Sequence, residues 1–197
     1  NDGSGLIQQY VYVLEANIVF KNGLTVPLLT EYLKTDWNVL TNPKGKQDCE
    51  LVAFERLSAK LKKYFPRLKI IVFGDALFAT QPVLEILNQY RWEYVIKFSK
   101  NKLTQFAELI NSKKESAQVI PGQEYYRERY QEFYWYHDVT WGYEWQLKIP
   151  LVSCLEKWKE VDKKTGEIIF KYSQHQWLSS IRIHIDNVHE LCNLGAR

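Results

Sequence analysis

The chain has 197 residues, 46% of them hydrophobic, enough for one domain with a large insertion or for two small ones. Its formal net charge of +3 favours an anionic partner only mildly and falls short of the strongly basic balance of a dedicated nucleic-acid clamp. No apolar run reaches the roughly 18 residues of a bilayer span, no signal-peptide pattern is read, and Cys49, Cys154 and Cys192 show neither metal-ligand nor disulfide spacing, so a reducing interior is expected.

Asn1 to Gly5 has turn chemistry and no core. Tyr10 to Phe20 reads as a strand, Lys21-Asn22-Gly23 as a hairpin turn and Leu24 to Leu33 as the returning strand. A loop through Asn42, Pro43 and Gly45 leads to Lys46-Gln47-Asp48-Cys49-Glu50, where Asp48 is the expected N-cap of a helix. Leu51, Phe54, Leu57, Leu61 and Tyr64 then recur at helical spacing, and Pro66 stops the helix. Leu68 to Gly74 is apolar without alternation and reads as a buried strand of a parallel sheet. Thr80 or Gln81 can cap the helix that follows, with Pro82 in its first turn. Trp92 to Phe98 is a further strand and Lys102 to Asn111 a short helix. The order β-β-α-β-α-β-α implies an α/β fold whose mixed sheet is covered on both faces.

From Ser112 the character changes. Glu124 to Trp145 is dense in Tyr and Trp, with Arg127 and Arg129 interleaved. Trp145 to Trp158 and Glu167 to Ile183 read as strands joined by Asp162-Lys163-Lys164-Thr165-Gly166. A helix starts near Asp186 or Asn187. The division is therefore a core over 1–111, a β-rich insertion over 112–185 and the start of a last helix over 186–197. The absence of any methionine suggests a piece of a longer protein.

Asp75 is the chief candidate for chemistry, because α/β sheets place reactive groups at the C-terminal ends of their strands. Its plain alternative is a turn or capping carboxylate. Lys46 to Glu50 could be an acidic metal site, but a capped helix start with Glu50 favouring its dipole explains it better. The aromatic segment suits both base stacking and the small core that an insertion needs. His137, His175, His184 and His189 are scattered without nucleophile or zinc spacing. Gly3 and Gly5 follow no strand, so no phosphate loop is read, and Lys60, Lys62 and Lys63 read as a solvated helix face.

Several blocks together carry a resemblance: Tyr12-Val13-Leu14-Glu15-Ala16, Lys46-Gln47-Asp48-Cys49-Glu50, Phe73-Gly74-Asp75-Ala76-Leu77 and Trp177-Leu178-Ser179-Ser180, with Asn187-Val188 and Leu194-Gly195-Ala196-Arg197 at the end. The chain resembles bacterial transposases of the IS4-like DDE group over nearly its whole length. The resemblance implies an RNase H-like fold with a β-rich insertion before the last helix. It implies three carboxylates, Asp, Asp and Glu, that hold two divalent ions, Mg²⁺ or Mn²⁺. Asp75 matches the second of them. The family's first Asp is then expected upstream of Asn1; Asp2-Gly3 shares its dipeptide but follows no strand, so Asp2 stays open between turn and ligand. The family's Glu follows the Gly195-Ala196-Arg197 block, so its role is not carried to Glu190. The implied activity is metal-dependent phosphodiester cleavage and strand transfer at transposon ends, by a homodimer on paired DNA ends in the bacterial cytoplasm at the nucleoid, with no membrane. The chain alone is expected not to cut DNA. The alternatives are a catalytically inactive DNA-binding remnant and an α/β domain unrelated to nucleic acid in which Asp75 is only a cap.

Overall fold

The computed structural model describes residues 11–34, 48–98, 118–120, 125–126, 129–141 and 147–194. Asp2, the loop through Asn42, Pro43 and Gly45, and the helix expected from Lys102 to Asn111 lie outside the described residues. Two compact units form, Asn1–Leu68 and Lys69–Arg197.

In the first unit β1 (Val13–Val19) and β2 (Thr25–Tyr32) pair antiparallel, from Val13 opposite Tyr32 to Val19 opposite Thr25. The expected turn closes them. Gly23 holds a φ of 86°, which only glycine adopts without strain, and the Asn22 side-chain oxygen accepts the Leu24 N–H at 3.0 Å. The register shifts between Ala16 and Asn17, beside Pro27. Proline has no N–H to give to the ladder, so the pairing slips there. α1 (Glu50–Tyr64) buries Ala53, Phe54, Leu57, Ser58 and Leu61 along one stripe. Tyr64, expected on that stripe, is exposed at the helix end. Phe65 leaves helical geometry because Pro66 follows it.

The second unit is one mixed sheet. β3 (Ile71–Gly74) runs through α2 (Gln81–Tyr90) into β4 (Glu93–Phe98), and the two strands are parallel with Gly74 beside Ile96. Thr80 takes the N-cap position of α2, and Arg91 ends it with a left-handed φ of 56°. β5 (Gln118–Ile120), β6 (Tyr125–Tyr126), β7 (Arg129–Trp141), β8 (Leu147–Val161) and β9 (Ile168–Ser179) follow, then α3 (Val188–Leu194). The strand order is β3-β4-β9-β8-β7-β5, with β6 beside β7. The architecture is thus α/β with a mixed sheet, flanking helices and a β-rich stretch before the last helix, and it is compatible with an RNase H-like fold.

Two details depart from expectation. The β1–β2 hairpin is a sheet of its own; the mixed character arises where β9 pairs antiparallel with β4, Val95 opposite Ser179 to Phe98 opposite Gln176. β3 is parallel but not buried. It stands at the end of the strand order, so among the described residues it has a neighbour on one side only, and Ile71 is exposed.

Alternation fixes the core. The register sets Trp135, Val152 and Trp177 side by side, and next to them Phe133, Cys154 and His175. Residues paired across strands share a face, and this face packs on Val188, Leu191 and Cys192 of α3. Trp177 is fully buried there. Trp177→Ala is expected to cost about 3–5 kcal/mol, whereas Tyr172→Ala, at an exposed position of the same strand, should stay within about 0.5 kcal/mol. The difference is read from the two urea midpoints.

Candidate functional site

Asp75 follows the last residue of β3 and stands exposed at its C-terminal end. Its Oδ1 accepts the Leu77 N–H at 2.9 Å, and its carbonyl accepts the Phe78 N–H at 3.2 Å. A short-range carboxylate bond of this kind makes an Asx turn. The turn leads through buried Ala79 to the start of α2. The local sequence explains the placement: β3 ends at Gly74, and Pro82 pre-sets the first helical turn. Asp75 is therefore a turn carboxylate that also stays exposed at a sheet end.

Asp48 has a structural role. Cys49, not Asp48, is the N-cap of α1, and no side chain caps that end. The Asp48 oxygens are drawn instead to the Arg56 guanidinium, at 2.7 and 3.2 Å, and to the Lys34 N–H at 2.7 Å. Arg56 Nε also donates to Glu31 at 2.7 Å, and Lys60 pairs with the other Glu31 oxygen. Lys60 is thus an ion-pair partner, and Lys62 donates to the Pro66 carbonyl. The Arg56 bond, then the Lys34 N–H, hold the Asp48 carboxyl down to about 2 from its ordinary 3.8. Lys60 first and Arg56 next lower that of Glu31. Both carboxylates are depressed, so each contributes stability that is present above its ordinary value and is lost as the pH falls below it, for Asp48 from 3.8 toward about 2. Arg56→Met is expected to lower the calorimetric Tm near neutral pH and to flatten its fall over that acid window.

In the second unit Glu156 is fully buried on β8. Arg129 donates to its Oε2 at 2.8 Å and Gln131 to its Oε1 at 2.7 Å. Gln131 also exchanges bonds with Asn193 of α3, at 3.1 and 3.3 Å. Ser173 Oγ lies 3.3 Å from Glu156 Oε2 and 3.1 Å from His175 Nε2, and that same Nε2 lies 3.5 Å from Glu156 Oε2. Sequence reasoning missed this grouping of serine, histidine and carboxylate. Counting back from the Asp162–Gly166 turn, which pairs Glu156 with Ser173 and Cys154 with His175, would have found it. The grouping is not a nucleophile relay. A relay needs the hydroxyl on one ring nitrogen and the carboxylate on the other, and here both lie on Nε2. The charge of Glu156 is balanced by Arg129, as burial of a carboxylate demands. Arg129→Met should therefore cost about 3 kcal/mol in urea unfolding, more than Glu156→Gln, because it strands a buried charge.

The aromatic segment divides. Phe133, Trp135 and Tyr136 are buried core residues, while Tyr130 and Tyr134 are half-buried. The side chains of Tyr125, Tyr126 and Trp141, together with Arg127, Tyr143 and Trp145, lie outside the described residues. Arg129 stacks on Trp158, 4.3 Å from the ring centroid. A bulge at His137-Asp138 interrupts the β7–β8 register, with Asp138 left-handed. Burial, then Arg182, pull the His137 pKa below its ordinary value. Glu190 lies in the first turn of α3. Among the described residues no group of three or more His, Cys, Asp or Glu gathers to hold a metal, and no helix is long and apolar enough to cross a membrane. Neither a protein-family model nor a curated protein sequence matches the chain.

Proposed function

We propose that the chain forms part of the catalytic core of a DNA transposase, with Asp75 as one carboxylate of a divalent-metal site. The placement of Asp75 carries this reading: an exposed carboxylate at the C-terminal end of a parallel strand, a short turn before a helix. The resemblance of its Gly-Asp-Ala-Leu block, and of the blocks on either side, supports it.

Mg²⁺ and Mn²⁺ take hard oxygen ligands. Asp75 fits as one such donor, since it is exposed and only Oδ1 is turned toward the Leu77 N–H. It is the one described residue to which the role is assigned. A bound ion pair would supply an activated water and a stabilised leaving oxygen for phosphodiester cleavage. The chain's own task is positional. The β3–β4 ladder and the Asx turn fix the backbone from which the carboxylate is presented. The partners in this reading are transposon-end and target DNA and a second copy of the protein, in the bacterial cytoplasm at the nucleoid. A DNA-binding remnant without chemistry is the second reading, favoured by the exposed aromatic residues of the β8–β9 hairpin.

The test is Mn²⁺ titration of the isotope-labelled chain followed by NMR. Broadening is expected first at the amides of 74–78, and Asp75→Asn should abolish it while keeping the Asx-turn acceptor and the fold. Broadening elsewhere, or broadening that survives the substitution, would remove Asp75 from the metal site.

A further inference from the structure

Alternation gives the outer part of the β8–β9 hairpin two unlike faces. Glu156 and Trp158 share one, with Arg129 over them. On the other, Lys157 stands opposite Tyr172 and Lys159 opposite Phe170. Lys157 is also opposite Tyr130 of β7. Tyr172 is 62% exposed and Phe170 60%. Lys157 Nζ lies 5.7 Å from the Tyr130 ring centroid, and Lys159 Nζ lies 5.8 Å from that of Phe170. The result is two rungs, each an aromatic ring beside a lysine, separated along the strands by about 6.8 Å. Glu132 is the acidic neighbour on this face; its Oε2 is 3.8 Å from Lys157 Nζ, and it accepts the Tyr134 hydroxyl.

We propose that this ladder binds single-stranded DNA, with bases stacked on Tyr172 and Phe170 and phosphates held by Lys157 and Lys159. Bases offer their faces for stacking only when unpaired, and aromatic side chains between cationic ones are the usual platform for them. A duplex would use the lysines but leave the exposed rings idle. Val161 and Ile168, paired and exposed at the tip of the same face, offer a second copy an apolar contact, and sedimentation separates that occupant from DNA. The ladder lies apart from Asp75 in sequence and rests on the proposed function only for the choice of DNA.

The experiment is fluorescence anisotropy of a labelled oligothymidylate with the 197-residue chain, over a range of salt. Phe170→Ala and Tyr172→Ala are each expected to weaken binding about fivefold or more, with the circular dichroism unchanged because both side chains are exposed. The pair Lys157→Gln and Lys159→Gln should reduce the slope of log affinity against log salt by about 1.4. Affinity for a blunt duplex should not respond to the aromatic substitutions. Equal oligothymidylate affinity in the wild type and the Phe170→Ala/Tyr172→Ala double variant would overturn the proposal. So would a wild-type dimer in sedimentation that the double variant dissociates. The Mn²⁺ readout at Asp75 does not involve the ladder, so failure of one reading is distinguishable from failure of the other.

Discussion

The second unit depends on the antiparallel pairing of β4 with the last residues of β9. Gln176 to Ser179 pair with β4 on one side, Gln176 to Leu178 pair with β8 on the other, and all four are buried. This short segment joins the β3-α2-β4 unit to the long β-rich strands and makes one sheet of them. It also carries Trp177 into the core beneath α3. Parallel β3 has β4 as its partner, and β4 is held in turn by β9. The backbone that presents Asp75 is thus fixed through a strand some hundred residues further along the chain.

The charges follow one rule in both units: where a carboxylate is taken from water, a guanidinium goes with it. Arg56 answers Glu31 and Asp48 in the first, and Arg129 answers Glu156 in the second. Arginine suits the task because its planar fork can serve two oxygens while its stem packs or stacks. Asp75 is the contrast. It is exposed, no arginine is paired with it among the described residues, and it accepts the nearby Leu77 and Phe78 N–H groups. A carboxylate left accessible at a strand end while the buried ones are neutralised is available for a cation in a way that Glu156 and Asp48 are not.

Much of the fold was legible because it rests on local chemistry. Asn22-Gly23 placed the hairpin, Pro66 ended α1, and Asp162 to Gly166 placed the β8–β9 turn. What escaped was set by long-range pairing. Nothing in Ile71 to Gly74 says that the strand lies at the end of the sheet order, since an apolar run looks the same at an edge and in a centre. The cap at Asp48 failed for a similar reason: an arginine eight residues on competes for its oxygens better than the helix N-terminus does. At the candidate site the sequence identified Asp75, whose position follows from strand, turn and helix signals. It did not show the Glu156 grouping, which exists only through cross-strand register.

The same register decides what the aromatic residues are for. Composition alone could not separate core from surface in a stretch so rich in Tyr and Trp. Two-residue alternation assigns the faces: Phe133 and Trp135 face α3, while Tyr130, Tyr134 and Tyr136 stand on the other side, where Tyr136 is buried and the other two half-buried. Continued outward along β8 and β9, the buried side reaches the Arg129–Trp158 stack, and the open side runs through Lys157, Lys159, Phe170 and Tyr172 to the exposed pair Val161 and Ile168. Burial explains the first set fully. It does not explain the second, because an aromatic ring that remains exposed gains little from the hydrophobic effect, while lysines beside it keep that surface soluble and cationic.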